Sequence, residues 1–233
     1  MKTKPMAPLP PLVITIDGPA GAGKTTISRA LAKRLNYRYV DTGALYRGVA
    51  VALSRRGIDA GDAAALAALC QDLKLDLVNR GDGLRILADG WDVTDQIRSP
   101  EITMLASAVS AHPVVRDYLL TRQRSLGASG AVVFEGRDMG TVVFPGADVK
   151  FFLTADLSTR ARRRFEELGA AAGQSLETVT ADMDRRDRND SSRDVAPLKP
   201  AADAIPIDST HLDIAAVIDT MLGHIRRKFG AVS

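Results

Sequence analysis

Short apolar runs alternate with longer stretches of helical periodicity along this chain, the pattern of a parallel sheet covered by helices. The runs predict strands at Val13–Ile16, Ala131–Phe134, Val149–Leu153 and Ile205–Ile207, with a short one near Tyr39. The periodic stretches predict helices at Lys24–Leu35, Ala44–Arg55, Ala63–Leu73, Glu101–Ala111, Val114–Leu126, Ser158–Leu168, Leu176–Arg186 and Leu212–Lys228. Between Leu75 and Ile97 the period drops to two. Leu75 and Leu77 alternate with polar partners, Gly81-Asp82-Gly83 supplies a turn, and Leu84, Ile86 and Ala88 alternate again, which predicts a small antiparallel insertion outside the core sheet. Ser99, followed by Pro100 and Glu101, predicts the cap of the next helix.

Chemistry enters with Gly18-Pro19-Ala20-Gly21-Ala22-Gly23-Lys24-Thr25, which fits G-x-x-x-x-G-K-S/T between the first predicted strand and the first predicted helix. Glycines let successive backbone N–H groups turn inward around phosphate oxygens, and the following helix adds the positive end of its dipole. Lys24 then reaches the terminal phosphates of a nucleoside triphosphate, and Thr25 holds Mg²⁺. The plain alternative is a glycine-rich turn with a surface lysine; the strand before and the helix after speak against it.

Composition narrows the class. With 45% hydrophobic and 25% charged residues in 233, the chain reads as a globular enzyme with one large core or a core plus insertions. No apolar run approaches the ~20 residues needed to cross a bilayer, so no membrane partner is expected. Residues 1–11 are basic and proline-rich without an apolar stretch, and read as a flexible leader rather than a signal peptide. Cys70 is the only cysteine, which excludes disulfides within the chain and cysteine-clustered metal sites and points to a reducing cytoplasm. Lying among Ala and Leu, it reads as a small core residue.

The net charge of +3 and pI near 9.1 raise the question of nucleic acid, but the excess is local. Arg160, Arg162, Arg163, Arg164, Arg185, Arg186, Arg188 and Arg193 crowd one region, interleaved with Glu166, Glu167, Asp182, Asp184, Asp187 and Asp190, and no aromatic series offers a base-stacking platform. A flap over phosphates or a set of solvated helix faces accounts for them, and no nucleic-acid partner is expected.

Two further segments hold candidate groups. In Asp41-Thr42-Gly43-Ala44-Leu45-Tyr46-Arg47, a hydroxyl, a glycine and an arginine on the first turn of a helix either grip an anionic substrate or form a cap followed by a solvated arginine. In Glu135-Gly136-Arg137-Asp138, an acid at the end of a core strand is placed to direct Mg²⁺ and Arg137 to fork onto phosphate; a β-turn with an ion pair is the alternative.

The combination IDGPAGAGKTT, DTGALYR, EGRDMGTVVFP, RRDRNDSSRDVAPLKPAADA and IDST resembles the bacterial cytidylate kinase family from Leu12 onward. DTGALYR and GRDMGTVVFP are specific to that family, whereas the phosphate loop is shared by many. The resemblance implies an α/β P-loop nucleoside-monophosphate-kinase fold: a five-stranded parallel core sheet with helices on both faces, a monophosphate-binding part enlarged by a small antiparallel sheet, and a mobile helical lid. The core would comprise residues 12–40, 112–155 and 200–233, the CMP-binding part 41–111 and the lid region 156–199.

The resemblance also implies a reaction, in which a monomer transfers the γ-phosphoryl group of ATP, with Mg²⁺, to CMP or dCMP. Gly18, Pro19, Ala20, Gly21, Ala22, Gly23, Lys24, Thr25, Thr26 and Arg160 would contact ATP. Thr42, Arg47, Ser107, Arg116, Arg137, Asp138, Arg186, Asp190 and Arg193 would line the acceptor site. Lys24, Arg137, Asp138, Arg163, Arg164 and Arg193 would serve the transfer itself, with Arg160, Arg163 and Arg164 in the lid or at its base. Thr25 and a carboxylate, Glu135 or Asp138, would organise Mg²⁺ through water. The family has Ser or Thr at Thr42 and Asp or Glu at Glu135, so only the proline-rich leader departs from its pattern. Two other classes remain open on the residues alone: a P-loop kinase with a different small acceptor, and a nucleic-acid-stimulated or regulatory P-loop NTPase. The second would need a guanine-reading N-K-x-D segment or a basic aromatic surface, and the sequence has neither.

Overall fold

The computed structural model describes residues 9–80, 83–168 and 173–230. In chain order its elements are β1 (Val13–Asp17), α1 (Lys24–Leu35), β2 (Arg38–Asp41), α2 (Thr42–Arg55), α3 (Ala63–Asp72), β3 (Leu75–Arg80), β4 (Gly83–Ala88), β5 (Trp91–Asp92), α4 (Pro100–Val109), α5 (Pro113–Gly127), β6 (Val132–Gly136), β7 (Val149–Thr154), α6 (Leu157–Leu168), α7 (Leu176–Ser192), β8 (Ile205–Asp208) and α8 (Ile214–Phe229). The chain forms two compact units, one of residues 1–40, 127–192 and 196–233, the other of residues 41–126 and 193–195. The predicted turn at Gly81-Asp82 and most of the leader lie outside the described residues.

The first unit is built on a five-stranded parallel sheet in the order β2-β6-β1-β7-β8. Because side chains alternate across a strand, Ile14, Ile16, Val133, Val149, Phe151, Leu153 and Ile207 fall on one face. That face forms a single core with Ile27, Leu31 and Ala32 of α1 and Val217, Met221 and Ile225 of α8. Leu12 and Ile14 to Ile225 in this core are almost wholly removed from water, at about 25 cal/mol per Å² of apolar surface. Helix α8 starts at Ile214, two residues later than the periodicity predicts. Asp213 is its N-cap, accepting the Ala216 amide at 2.8 Å, and the cap residue sets the start. Helix α7 runs six residues beyond the predicted end at Arg186. Ion pairs of Asp182 with Arg185 (2.9 Å) and Asp184 with Arg188, three and four residues apart, support its exposed face where no apolar stripe exists to be read.

The second unit buries Leu45, Val49 and Leu53 of α2 against Leu66, Leu69 and Cys70 of α3, Ile86 of β4, Ile102 and Val109 of α4, and Val115 and Leu119 of α5. Cys70 is thus the core residue the sequence predicts. The insertion is a three-stranded antiparallel sheet, β3-β4-β5, with Leu77 opposite Ile86. Its third strand, a two-residue pairing of Trp91 with Ala88 and Asp92 with Leu87, was not predicted, being too short to show a period. Ser99 caps α4 at the Ile102 amide (3.2 Å), as expected, with Pro100 in the first turn. Among the described residues no helix is long and apolar enough to cross a membrane.

Candidate active site

The phosphate loop joins β1 to α1, and backbone geometry explains its glycines. Gly18 has φ +149°, and a Cβ there would stand 2.0 Å from the Leu153 carbonyl oxygen of β7. Gly23 caps α1 in the left-handed region (φ +86°), a conformation costly for other residues. It offers no side chain to the helix, so the first amides of α1 have no side-chain cap, and the first turn carries no acid. Such a helix end attracts anions.

Lys24 is buried, and its ammonium donates to the Pro19 carbonyl at 2.6 Å. Burial above all, then the charges of Arg137 and Arg186, hold its pKa well below the usual lysine range, against the opposing pull of Glu135 and Asp190. Phosphate oxygens brought beside it would favour its charged form. Thr25 donates its hydroxyl proton to Glu135 Oε1 at 2.9 Å, and Tyr39 donates to the same oxygen at 2.8 Å. Glu135 is buried near the end of β6.

Beyond β6 the chain turns sharply. Arg137 Nε donates to Asp190 Oδ2 at 2.9 Å; burial, the largest influence, works against the guanidinium charge, but Asp190 together with Glu135 and Asp187 outweighs it and raises the pKa further. Asp138 is buried beside it, and Arg186 lies on α7, the same helix as Asp190. A π-helical turn then covers Met139–Val143, closed by the Phe144 amide on the Met139 carbonyl at 2.7 Å. The sequence shows no sign of this turn. Its first amides, those of Met139 and Gly140, are taken by Asp17, the last residue of β1.

Of Arg160, Arg163 and Arg164, all on α6, two are tied to the phosphate loop's surroundings. Arg160 donates to the carbonyls of Ala155 (2.8 Å) and Ala20 (3.0 Å) and to Asp187 (2.5 Å). Arg163 donates to the Ser209 hydroxyl and carbonyl at 3.1 and 2.7 Å, and the Ser209 hydroxyl in turn bonds the Ala22 carbonyl at 3.3 Å. Arg164 makes a solvent-side pair with Glu167. Asp17, Tyr39, Asp187 and Ser209 are therefore part of this cluster although the sequence assigns none of them a role at the site. Asp17, Asp187 and Ser209 lie inside the motifs IDGPAGAGKTT, RRDRNDSSRDVAPLKPAADA and IDST, whereas Tyr39 is marked only as part of a short strand.

Of the expected acceptor residues, Arg137, Asp138, Arg186 and Asp190 belong to the first unit and Thr42, Arg47, Ser107, Arg116 and Arg193 to the second. Asp41 caps α2 through the Ala44 amide (3.1 Å) and also accepts from Arg47 at 2.7 Å, so Arg47 is folded back over Gly43, whose missing Cβ leaves the room. Thr42 is buried in the first turn. Ser107 lies on α4, partly exposed. Arg116 of α5 is buried, donates to the Ser110 carbonyl at 3.1 Å and lies over the Tyr46 ring, while Arg193 donates to the Ser110 hydroxyl at 3.3 Å. The structure thus brings Thr42 and Arg47 onto the first two turns of one helix and joins Arg116 and Arg193 through Ser110.

The donor set around Thr25 suits Mg²⁺: a hydroxyl and a carboxylate oxygen, with no group of three or more His, Cys, Asp or Glu able to cage a metal among the described residues. Mg²⁺ bound in that way leans on water and on substrate phosphates.

A parallel sheet whose first strand feeds a phosphate loop, beside a buried lysine and a threonine–carboxylate pair, defines a P-loop phosphotransferase. Residues 14–227 match the cytidylate kinase family, and the chain belongs to that family. It is 51% identical over 218 residues to a cytidylate kinase of Geobacter sulfurreducens, covering 93% of this chain and 94% of that one. It is 49% identical to the cytidylate kinase of Citrifermentans bemidjiense, over 93% and 94% of the two chains, and 43% identical to that of Geobacillus sp. strain WCH70, over 93% and 97%.

Proposed function

We infer that this chain transfers the γ-phosphoryl group of ATP to CMP or dCMP, releasing ADP and CDP or dCDP, as a cytoplasmic enzyme of pyrimidine nucleotide metabolism. The observation that carries the chemistry is Lys24: a buried lysine in a phosphate loop, its pKa lowered chiefly by burial. The attacking atom of CMP is a phosphate oxygen already charged at neutral pH, so no strong general base is required. The obstacle is repulsion between two polyanions, which fixed cations must offset while holding donor and acceptor in line.

Lys24 and the loop amides would grip the β- and γ-phosphates, and Thr25 with Glu135 would hold Mg²⁺, which when bound neutralises charge developing on the transferred group. Tyr39 keeps Glu135 aimed at that position through its hydrogen bond. Arg137, steadied by Asp190, with Arg47 and Arg193 would take the acceptor phosphate; Arg186 and Asp138 would contact ribose, base or transferred group. Arg160 and Arg163 brace the loop from α6, and Arg164, on its solvent side, would swing onto phosphate when the region 156–199 closes and excludes water.

Phosphate gripping and base reading separate by mutation. Cytosine carries an amine and an N3 acceptor where uracil has the reverse, so a group paired with that edge is left unsatisfied by UMP at about 1–3 kcal/mol per lost partner. Ser107→Ala is expected to shrink the CMP to UMP ratio of kcat/KM roughly tenfold, chiefly by weakening CMP. Arg47→Ala is expected to weaken both acceptors about equally, because phosphate is common to them. Measured kcat/KM values in which Arg47→Ala alters the ratio and Ser107→Ala leaves it untouched would contradict these roles.

A further inference from the structure

Asp17 is a buried carboxylate that the mechanism above does not use. It is the last residue of β1, only 4% exposed, and lies in register with Gly136 at the end of β6. Alternation along the paired strands sends it to the face opposite Glu135, away from the Thr25–Glu135 pair. Its two oxygens are used separately: Oδ1 accepts the Met139 amide at 2.9 Å and Oδ2 the Gly140 amide at 2.8 Å.

Those amides open the π-helical turn, where helical geometry provides no carbonyl for them, and buried amides left without acceptors are costly. The turn is pressed close to β1 at the same place: a Cβ on Gly140 would meet the Thr15 hydroxyl and the Lys150 side chain, each at 3.1 Å. Arg137 and Asp138 are the two residues between the end of β6 and these anchored amides. We propose that Asp17 is a positioning residue for phosphoryl transfer, fixing through the Met139 and Gly140 amides the turn that presents Arg137 and Asp138.

Only a carboxylate offers two acceptors in this geometry. An asparagine of the same shape would satisfy one amide and turn its NH₂ toward the other. Burial chiefly, with the charge of Asp138 adding and the two amides and Lys24 opposing, raises the Asp17 pKa to about 6. The ionised form therefore works against folding as pH rises through that value, and a neutral replacement removes this cost, which favours a folded Asp17→Asn chain.

The proposal rests on the reading of Arg137 as a phosphate-gripping group, so the test runs Asp17→Asn and Arg137→Ala side by side in the full chain. Asp17→Asn is expected to lower kcat by about 10- to 100-fold, the scale on which a small misplacement of reacting groups acts, with KM for ATP within about two-fold of wild type. Hydrogen exchange at the Met139 and Gly140 amides is expected to accelerate at least about tenfold while the β7 amides keep their protection. An unchanged kcat in Asp17→Asn with a large loss in Arg137→Ala would overturn the role of Asp17 alone. Full activity of Arg137→Ala would overturn the reading beneath it. A parallel rise in KM for ATP would show that Asp17 supports the phosphate loop instead, and also refutes the proposal. If Asp17→Asn fails to fold, wild type decides: Met139 and Gly140 amides as protected as those of β7 support the proposal, and freely exchanging ones refute it.

Discussion

Replacing Lys24 with alanine is expected to leave the chain folded and nearly inactive. In the protein without nucleotide the ammonium is buried, has the Pro19 carbonyl as its hydrogen-bond partner, and is weakened by burial and by Arg137, so little stability depends on it. In the transition state the same group faces the phosphoryl oxygens in a water-poor site, where a fixed charge contributes roughly 3–5 kcal/mol. The expected kcat is therefore lower by about two to four orders of magnitude, with a thermal midpoint equal to or above that of wild type. Steady-state kinetics with a melting curve checks both; a variant keeping more than about a tenth of wild-type kcat would contradict the assignment of Lys24.

The second large effect is expected at Gly18, and its cause is steric. A methyl group there would lie 2.0 Å from a backbone oxygen of β7, and φ +149° is a conformation that side chains rarely tolerate. No rotamer relieves a clash with backbone, so Gly18→Ala must move either the phosphate loop or strand β7, which it touches. Strain and overpacking of this kind cost a few kcal/mol, which for a chain of this length lowers the melting temperature by about 10 °C. Displacing the loop should also weaken ATP by roughly a hundredfold, since its amides are aimed by this backbone. Calorimetry for ATP binding and a thermal melt report the two effects separately. An unshifted melting temperature with undiminished ATP affinity would contradict the geometry.

What could be read along the chain was local. Four of the five core strands are short apolar runs, and the phosphate loop is eight consecutive residues whose spacing alone encodes its use, so β1, β6, β7, β8 and Lys24 were all legible. The π-helical turn was not, because the acceptor that stabilises its first amides lies 122 and 123 residues earlier. Tyr39 was legible as part of a strand but not as a partner of Glu135, 96 residues away. The arginines show the same limit from another side: in sequence Arg160, Arg163 and Arg164 are one cluster, while in the fold Arg160 holds the Ala20 carbonyl, Arg163 holds Ser209, and Arg164 meets Glu167 at the surface. Helix face decides among them, and tertiary neighbours decide what each face meets. Family motifs supplied the acceptor residues, which no periodicity marks; Ser107 and Arg116 would otherwise pass as ordinary positions in two amphipathic helices.

The central claim is transfer to cytidine monophosphates, and one coupled assay tests it most directly. ADP formation from ATP and Mg²⁺ is followed with CMP, dCMP, UMP and AMP in parallel, without nucleic acid, and the diphosphate product is quantified. Rapid turnover of CMP or dCMP with one CDP or dCDP formed per ADP is expected, with UMP disfavoured roughly tenfold to a few hundredfold and AMP inert. ADP formation that needs no cytidine nucleotide, or that favours UMP or AMP, would contradict it.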